Sequence, residues 1–96
     1  MARAYVYIIA NRRNGALYIG VTNGIARRMA EHRARKGSAF CIKYGIDKLI
    51  YVEASETIAD AIAREKALKG WNRAWKIALI QRGNPDWRDL FFEIDG

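Results

Sequence analysis

Glu65 is the residue of this sequence whose position most needs a reason. In the segment Glu56 to Lys69, Ile58, Ala61, Ile62 and Leu68 fall at i, i+3, i+4 and i+10 of one helical stripe, and Glu65, at i+7, lies in its middle. A carboxylate on an apolar face is costly to desolvate unless it is paired or bound to a cation. Two chemistries answer that need: an ion pair with Arg or Lys, which is the commoner, and a ligand position for a hard divalent ion. Arg28 and His32 stand four apart, so on a helix they point the same way, a guanidinium to grip phosphate and an imidazole beside it. A solvated basic face explains Arg28 equally well. Tyr5, Tyr7, Tyr18 and Gly20 form either an aromatic wall with hydroxyls aimed at a ligand and a glycine that admits close approach, or a set of half-buried core residues. Cys41 has no second histidine to activate it and is read as a bystander.

The elements that must position these groups follow from pattern. Residues Ala4 to Ala10 and Ala16 to Val21 are rich in β-branched and aromatic types around Asn14-Gly15, which predicts a β-hairpin. A loop of Asn14-Gly15 alone sets Tyr7 opposite Thr22 and Ile9 opposite Gly20. A four-residue loop shifts the pairs and keeps the parity, so Tyr5, Tyr7, Tyr18 and Gly20 share one face in either case. A helix is predicted from Gly24 to Lys36, with Thr22 or Asn23 as N-cap, Ile25 and Met29 facing inward, and a stop near Gly37. Ser38 to Gly45 reads as a loop and Asp47 to Ala54 as a third strand, with a capping signal at Ser55. A second helix is expected from Glu56 to Lys69, closed by Gly70. A third runs from the cap Asn72 to about Arg82, ended by Gly83-Asn84-Pro85. Trp71, Trp75 and Trp87 read as core, and the tail Asp86 to Ile94 is expected to pack.

Composition narrows the function. The chain has 96 residues, 51% of them hydrophobic, enough for one core and one domain spanning residues 1–96. Its net charge is +7, and the charge is uneven: Met1 to Gly45 carries nine Lys or Arg against Glu31 alone, whereas the remainder carries eight bases and nine acids. A basic surface on a folded domain meets polyphosphate, or serves solubility. Arg27, Arg33, Arg35 and Lys36 on the first helix read as a solvated face that also attracts nucleic acid through counterion release. One cysteine excludes an internal disulfide, and with a single histidine it cannot build a closed zinc site, which together point to a reducing cytoplasm. The apolar runs are too short for a signal peptide or a spanning helix, so no membrane role is expected.

The order Tyr5-Val6-Tyr7, ten residues, Tyr18-Ile19-Gly20, then Arg28, His32 and Glu65, resembles the GIY-YIG nuclease superfamily over nearly the whole chain. Arg64-Glu65-Lys66, Leu68-Lys69-Gly70-Trp71, Arg73 and the run Asn84 to Leu90 look like its small stand-alone bacterial branch. Tyr5 stands where the motif name has glycine.

The resemblance implies an α/β (α+β) fold in ββαβαα order, with a three-stranded antiparallel sheet flanked by helices, and metal-dependent phosphodiester hydrolysis in nucleic acid, DNA foremost. It assigns catalytic positions to Tyr7, Tyr18, Arg28, His32 and Glu65, with Gly20 and Asn84 in support and Glu65 holding Mg²⁺ or Mn²⁺ beside the leaving 3′ oxygen. Tyr7, or His32 in its place, helps deprotonate water, Tyr18 supports it or positions the phosphate, and Arg28 stabilises the phosphoryl charge. It further implies that targeting comes from a protein partner, dimerisation or nucleic-acid shape; the oligomeric state is left open. Two rival classes are a binding module of the same fold without turnover, and an interaction domain built on the Trp87 to Phe92 tail.

Overall fold

The computed structural model of the chain describes residues 3–94. Its elements are strands β1 (Ala4–Ala10) and β2 (Leu17–Thr22), helices α1 (Ile25–Arg33) and α2 (Ala39–Tyr44), strand β3 (Lys48–Ser55), helices α3 (Ile58–Gly70) and α4 (Arg73–Gly83), and a final 3₁₀ turn, Leu90–Glu93. The strands form one antiparallel sheet in the order β2-β1-β3, so β1 is central and reads as an almost unbroken apolar run. The expected sheet flanked by helices is therefore present, with one helix more than expected.

The two faces of the sheet carry two cores. Val6, Ile8, Ala10, Ile19 and Ile50 pack with Ala61 and Leu68 of α3, Leu79 and Ile80 of α4, and Trp87. On the opposite face Tyr7 and Ile9 pack with Ile25 and Met29 of α1, Cys41 of α2, Ile46 and Leu49. Each fully buried aliphatic side chain contributes about 1.5–3 kcal/mol, so this layering is the main source of stability.

Several sequence expectations are corrected. The hairpin pairs Tyr7 with Gly20 and Ile9 with Tyr18, two residues from the register of a two-residue loop. The turn is centred one residue earlier, on Arg13-Asn14, where Gly15 N–H donates to the Arg12 carbonyl and Asn14 takes φ 57°. α1 ends at Arg33 rather than Lys36 because Arg35 enters the left-handed region at φ 59°. Neither Thr22 nor Asn23 caps α1: Thr22 Oγ1 accepts from Gly24 N–H, and Asn23 Oδ1 accepts from Arg27 Nη2. The segment expected to be a loop holds α2, capped by Ser38 and closed by Gly45 at φ 65°. Thr57, not Ser55, caps α3, whereas Asn72 caps α4 as expected.

β3 bulges against β1. Ile8 faces Tyr51 and Ile9 faces Leu49, leaving Ile50 as the extra residue. The bulge lets Ile50 and Tyr51, adjacent in sequence, face the same core, which regular strand alternation would not allow, while Leu49 enters the opposite one. Asn84 clamps it: its Nδ2 donates to the Ile50 carbonyl at 3.2 Å and to the Arg88 carbonyl at 2.8 Å, and its Oδ1 accepts from Arg88 N–H.

Candidate active site

Tyr7, Arg28 and His32 form one hydrogen-bonded line on the α1 face of the sheet. Arg28 Nε donates to the Tyr7 hydroxyl at 3.3 Å, and that hydroxyl lies 3.1 Å from His32 Nε2. With Arg28 donating to the phenolic oxygen, the phenol's own proton is free to point at His32 Nε2, and in that tautomer the imidazole proton sits on Nδ1. Nδ1 is buried without a partner, against Gly37, where an added Cβ would fall 2.4 Å from it. Tyr18 completes the cluster through its ring, 5.9 Å from that of His32 and inclined to it by 62° in an edge-on contact. The shared strand face inferred from parity is therefore real, and α1 supplies the other side chains from positions one turn apart.

Gly20 has a steric role here. It lies opposite Tyr7, and a Cβ on it would sit 2.4 Å from the Tyr7 hydroxyl oxygen and 2.5 Å from Cζ. The ring covers the place where any other residue would carry its side chain.

The protonation states follow from burial. Tyr7 and His32 are only 1% and 4% exposed. Burial raises the Tyr7 phenol above its ordinary 10.0, with Arg28 pulling the other way. Burial and then Arg28 lower the His32 imidazole below its ordinary 6.5. Arg28 is held more firmly protonated than usual, first by the bond to Tyr7, with burial opposing and Glu31 assisting. At neutral pH the line is guanidinium, phenol and neutral imidazole: a cation, a proton and a vacant acceptor in series.

Glu65 stands apart from this cluster. Among the described residues its ion-pair partner is Lys69 Nζ, at 3.5 Å one turn along α3, and it bonds to none of Tyr7, Tyr18, Arg28 and His32. α3 packs on the opposite face of the sheet, where Ala61 and Leu68 are buried while Ile58 and Ile62 are 48% and 38% exposed. The apolar stripe is thus narrower than its sequence suggests, and Glu65 lies at a half-buried margin with a side chain 15% exposed. No group of three or more His, Cys, Asp or Glu that could hold a metal occurs among the described residues. A lone carboxylate whose partner is one exposed lysine fits a hard cation that keeps most of its water and takes phosphate oxygens.

The remaining expected contacts divide. Arg27, Arg35 and Lys36 are exposed as expected. Arg33 is not part of a solvated face: it pairs with Asp89, and its guanidinium lies 4.3 Å from the centre of the Phe91 ring. Asp89 also accepts from Leu49 N–H and Phe91 N–H, so the pair ties the tail to α1 and β3. Nothing in the local sequence marks that tie, because its partners are 56 residues apart. Asn84 spends its side chain on backbone groups and supports the fold rather than facing a ligand. Trp87 is buried and Trp71 half-buried, but Trp75 is 59% exposed and Phe92 80%, so neither of the last two is core.

Sheet, layered helices and this cluster define the GIY-YIG class, and comparison agrees: a family model described as the GIY-YIG catalytic domain matches residues 3–78. The chain belongs to the GIY-YIG catalytic domain family, a nuclease family whose members act on nucleic acid and generally use divalent metal ions. Within it, the chain is 33% identical over 81 residues to a UPF0213 protein of Staphylococcus haemolyticus, covering 84% of this chain and 98% of the relative. It is 36% identical over 75 residues to a UPF0213 protein of Pseudomonas aeruginosa, covering 78% of this chain and 71% of that one. The solution NMR structure of the UPF0213 protein BH0048 from Bacillus halodurans superposes with a TM-score of 0.56 at 26% identity, over 90% of each chain.

Proposed function

We propose that the chain is a metal-dependent endonuclease that hydrolyses phosphodiester bonds in nucleic acid, DNA foremost. The observation that carries this reading is the line from Arg28 through Tyr7 to His32. As water attacks phosphorus, its proton passes to the Tyr7 oxygen and the Tyr7 proton passes to His32 Nε2. The phenolate is never free, because the group that takes its proton is already bonded to it and Arg28 holds its oxygen. Without such help a buried phenol is a poor base at neutral pH.

Arg28 has a second task. Its Nε is engaged by Tyr7 and its Nη1 by Glu31 at 3.1 Å, leaving Nη2 for a phosphate oxygen, on a side chain 29% exposed. Tyr18, half-buried beside His32, positions the phosphate through its hydroxyl. Glu65 holds Mg²⁺ or Mn²⁺, which supplies positive charge to the phosphate and the leaving 3′ oxygen when bound. β2 is an edge strand that carries Tyr18 and Gly20 and is packed by α3, so that edge is where a phosphodiester would have to lie to meet both the cluster and Glu65.

The test is cleavage of labelled single-stranded, duplex, flap and junction DNA and RNA with Mg²⁺ or Mn²⁺. Products that require metal and vanish in Arg28→Ala and Glu65→Ala are expected. Undiminished cleavage by folded, pure Glu65→Ala overturns the metal assignment; binding without cleavage by the wild-type protein leaves a binding module of the same fold.

A further inference from the structure

Helix α2 carries a surface that the hydrolysis described above does not use. Cys41 anchors it in the same core as Tyr7 and Met29, while Phe40 and Tyr44, four apart on its outer side, are each 47% exposed. Their rings touch, with centroids 5.0 Å apart and planes tilted by 55°. The helix is held at both ends: Ser38 Oγ accepts from Cys41 N–H at 3.1 Å, and Gly45 stops it in the left-handed region. A single exposed aromatic is ordinary, whereas a framed pair presents stacking area at little entropic cost.

The charge around the pair identifies its complement. Lys43 Nζ lies 5.3 Å from the Tyr44 ring centre. Arg35 Nη2 donates to the Ile42 carbonyl at 3.3 Å, which brings the Arg35-Lys36 segment against one side of α2. Asn11 Nδ2 donates to the Tyr44 carbonyl at 3.2 Å, which brings the hairpin loop with Arg12 and Arg13 against its end. All five basic residues are exposed, and none has an ion-pair partner among the described residues. Unpaired cations around an aromatic pair suit a chain with flat π-faces and a phosphate at every step. A duplex buries its base faces, so the complementary form is the unpaired one.

We propose that Phe40 and Tyr44 form a platform on which unpaired nucleotides stack, with Arg12, Arg13, Arg35, Lys36 and Lys43 holding their phosphates. Through Cys41 the platform's helix packs in the core that holds Tyr7, so stacking there makes single-stranded or frayed nucleic acid the substrate class. This assignment rests on the nuclease reading for its role in cleavage, but the binding itself is measurable without turnover.

The experiment is fluorescence anisotropy in EDTA, with labelled oligothymidylate, oligouridylate and a blunt DNA duplex, on the wild-type protein and on Phe40→Leu and Tyr44→Leu, each checked for fold by circular dichroism. Single strands are expected to bind the wild-type protein more tightly than duplex does, and each substitution is expected to weaken single-strand binding about 5- to 100-fold while duplex binding holds. A loss on both strands assigns recognition to the base faces; a loss on only one also assigns a contact to what distinguishes the two strands, the sugar or the thymine methyl. Single-strand affinity unchanged in both variants overturns the platform. So does wild-type self-association that Phe40→Leu abolishes while oligonucleotide affinity stays constant, which would make the patch a contact between copies. Failure of the wild-type protein to cleave any substrate sinks the nuclease reading alone, because stacking is scored without metal.

Discussion

Two residues, His32 and Gly20, set the protonation and the geometry of the cluster, and each carries a prediction. His32 is buried and neutral, so its acid form is the costly one. It is faced by Arg28, which disfavours the imidazolium, by Glu31 and Asp47, which favour it, and by the neutral Tyr7 phenol. Because its folded pKa lies below the ordinary 6.5, the unfolded chain binds the extra proton first. Stability is therefore fully present above about 6.5 and declines as pH falls through that value toward the folded pKa. The same protonation removes the acceptor for the Tyr7 proton. Cleavage is expected to hold a plateau near neutrality and fall on an acid limb below pH 6.5, and His32→Gln should remove that limb together with most of the rate; an acid limb unchanged in His32→Gln assigns it elsewhere. Gly20 carries the steric prediction. Its substitution by Ala puts a methyl inside the Tyr7 ring's contact distance, and a buried ring cannot swing aside as a flexible chain end can. Gly20→Ala should cost about 1–3 kcal/mol and weaken cleavage as Tyr7 shifts from Arg28 and His32, both readable from a thermal melt and a cleavage assay.

Among the elements, the bulge in β3 is the least self-sufficient. It frees the Ile50 carbonyl, and the turn after α4, packed beside it, holds Trp87 at φ 56°, a left-handed conformation that costs a bulky residue about 1–2 kcal/mol. Asn84 compensates both at once by bonding the Ile50 carbonyl in β3 and the Arg88 backbone just past the turn. Asn84→Ala leaves buried polar groups unpaired and should lower stability by about 2–3 kcal/mol, a fall in Tm of roughly 10–20 °C, with tryptophan emission shifted to the red as Trp87 is exposed. A melt within a degree or two of wild type means the bulge does not depend on this clamp. The elements also show which information is local. β1, β2, α4 and the shared tyrosine face were legible because strand alternation, parity and the Asn72 cap operate within a few residues. Arg28 and His32 were legible as a pair for the same reason. The Arg33–Asp89 tie and the Asn84 clamp join distant segments, so no window of sequence contains them. α2 is not legible locally, because six residues between a serine and a glycine look like a loop until Cys41 finds a core. The α3 stripe is narrower than its periodicity implies because the sheet reaches only Ala61 and Leu68, leaving Ile58 and Ile62 outside.

For the molecule as a whole, the charge division in the sequence becomes a division of surfaces. The first half supplies the hairpin tip and α1 with its following segment, so the unpaired cations Arg12, Arg13, Arg35 and Lys36 lie on elements next to the α1 face of the sheet. In the second half Glu53 takes Arg64, Glu65 takes Lys69 and Glu93 takes Arg88, which neutralises much of the field there. No helix of the described residues is long and apolar enough to cross a membrane. Phosphates are then approached from one side, and binding should weaken steeply with salt as condensed counterions are released. Each cation that contacts a phosphate of a single strand contributes about 0.7 to the slope of log K against log salt. Replacing Arg35 and Lys36 together by Gln should lower that slope by roughly 1.4. The control is Arg82→Gln with Lys76→Gln, two positive charges removed from α4 on the other face of the sheet. If both double variants change the slope alike, binding responds to net charge and not to where the charge lies; a loss confined to the first pair locates the nucleic-acid path along α1 and α2.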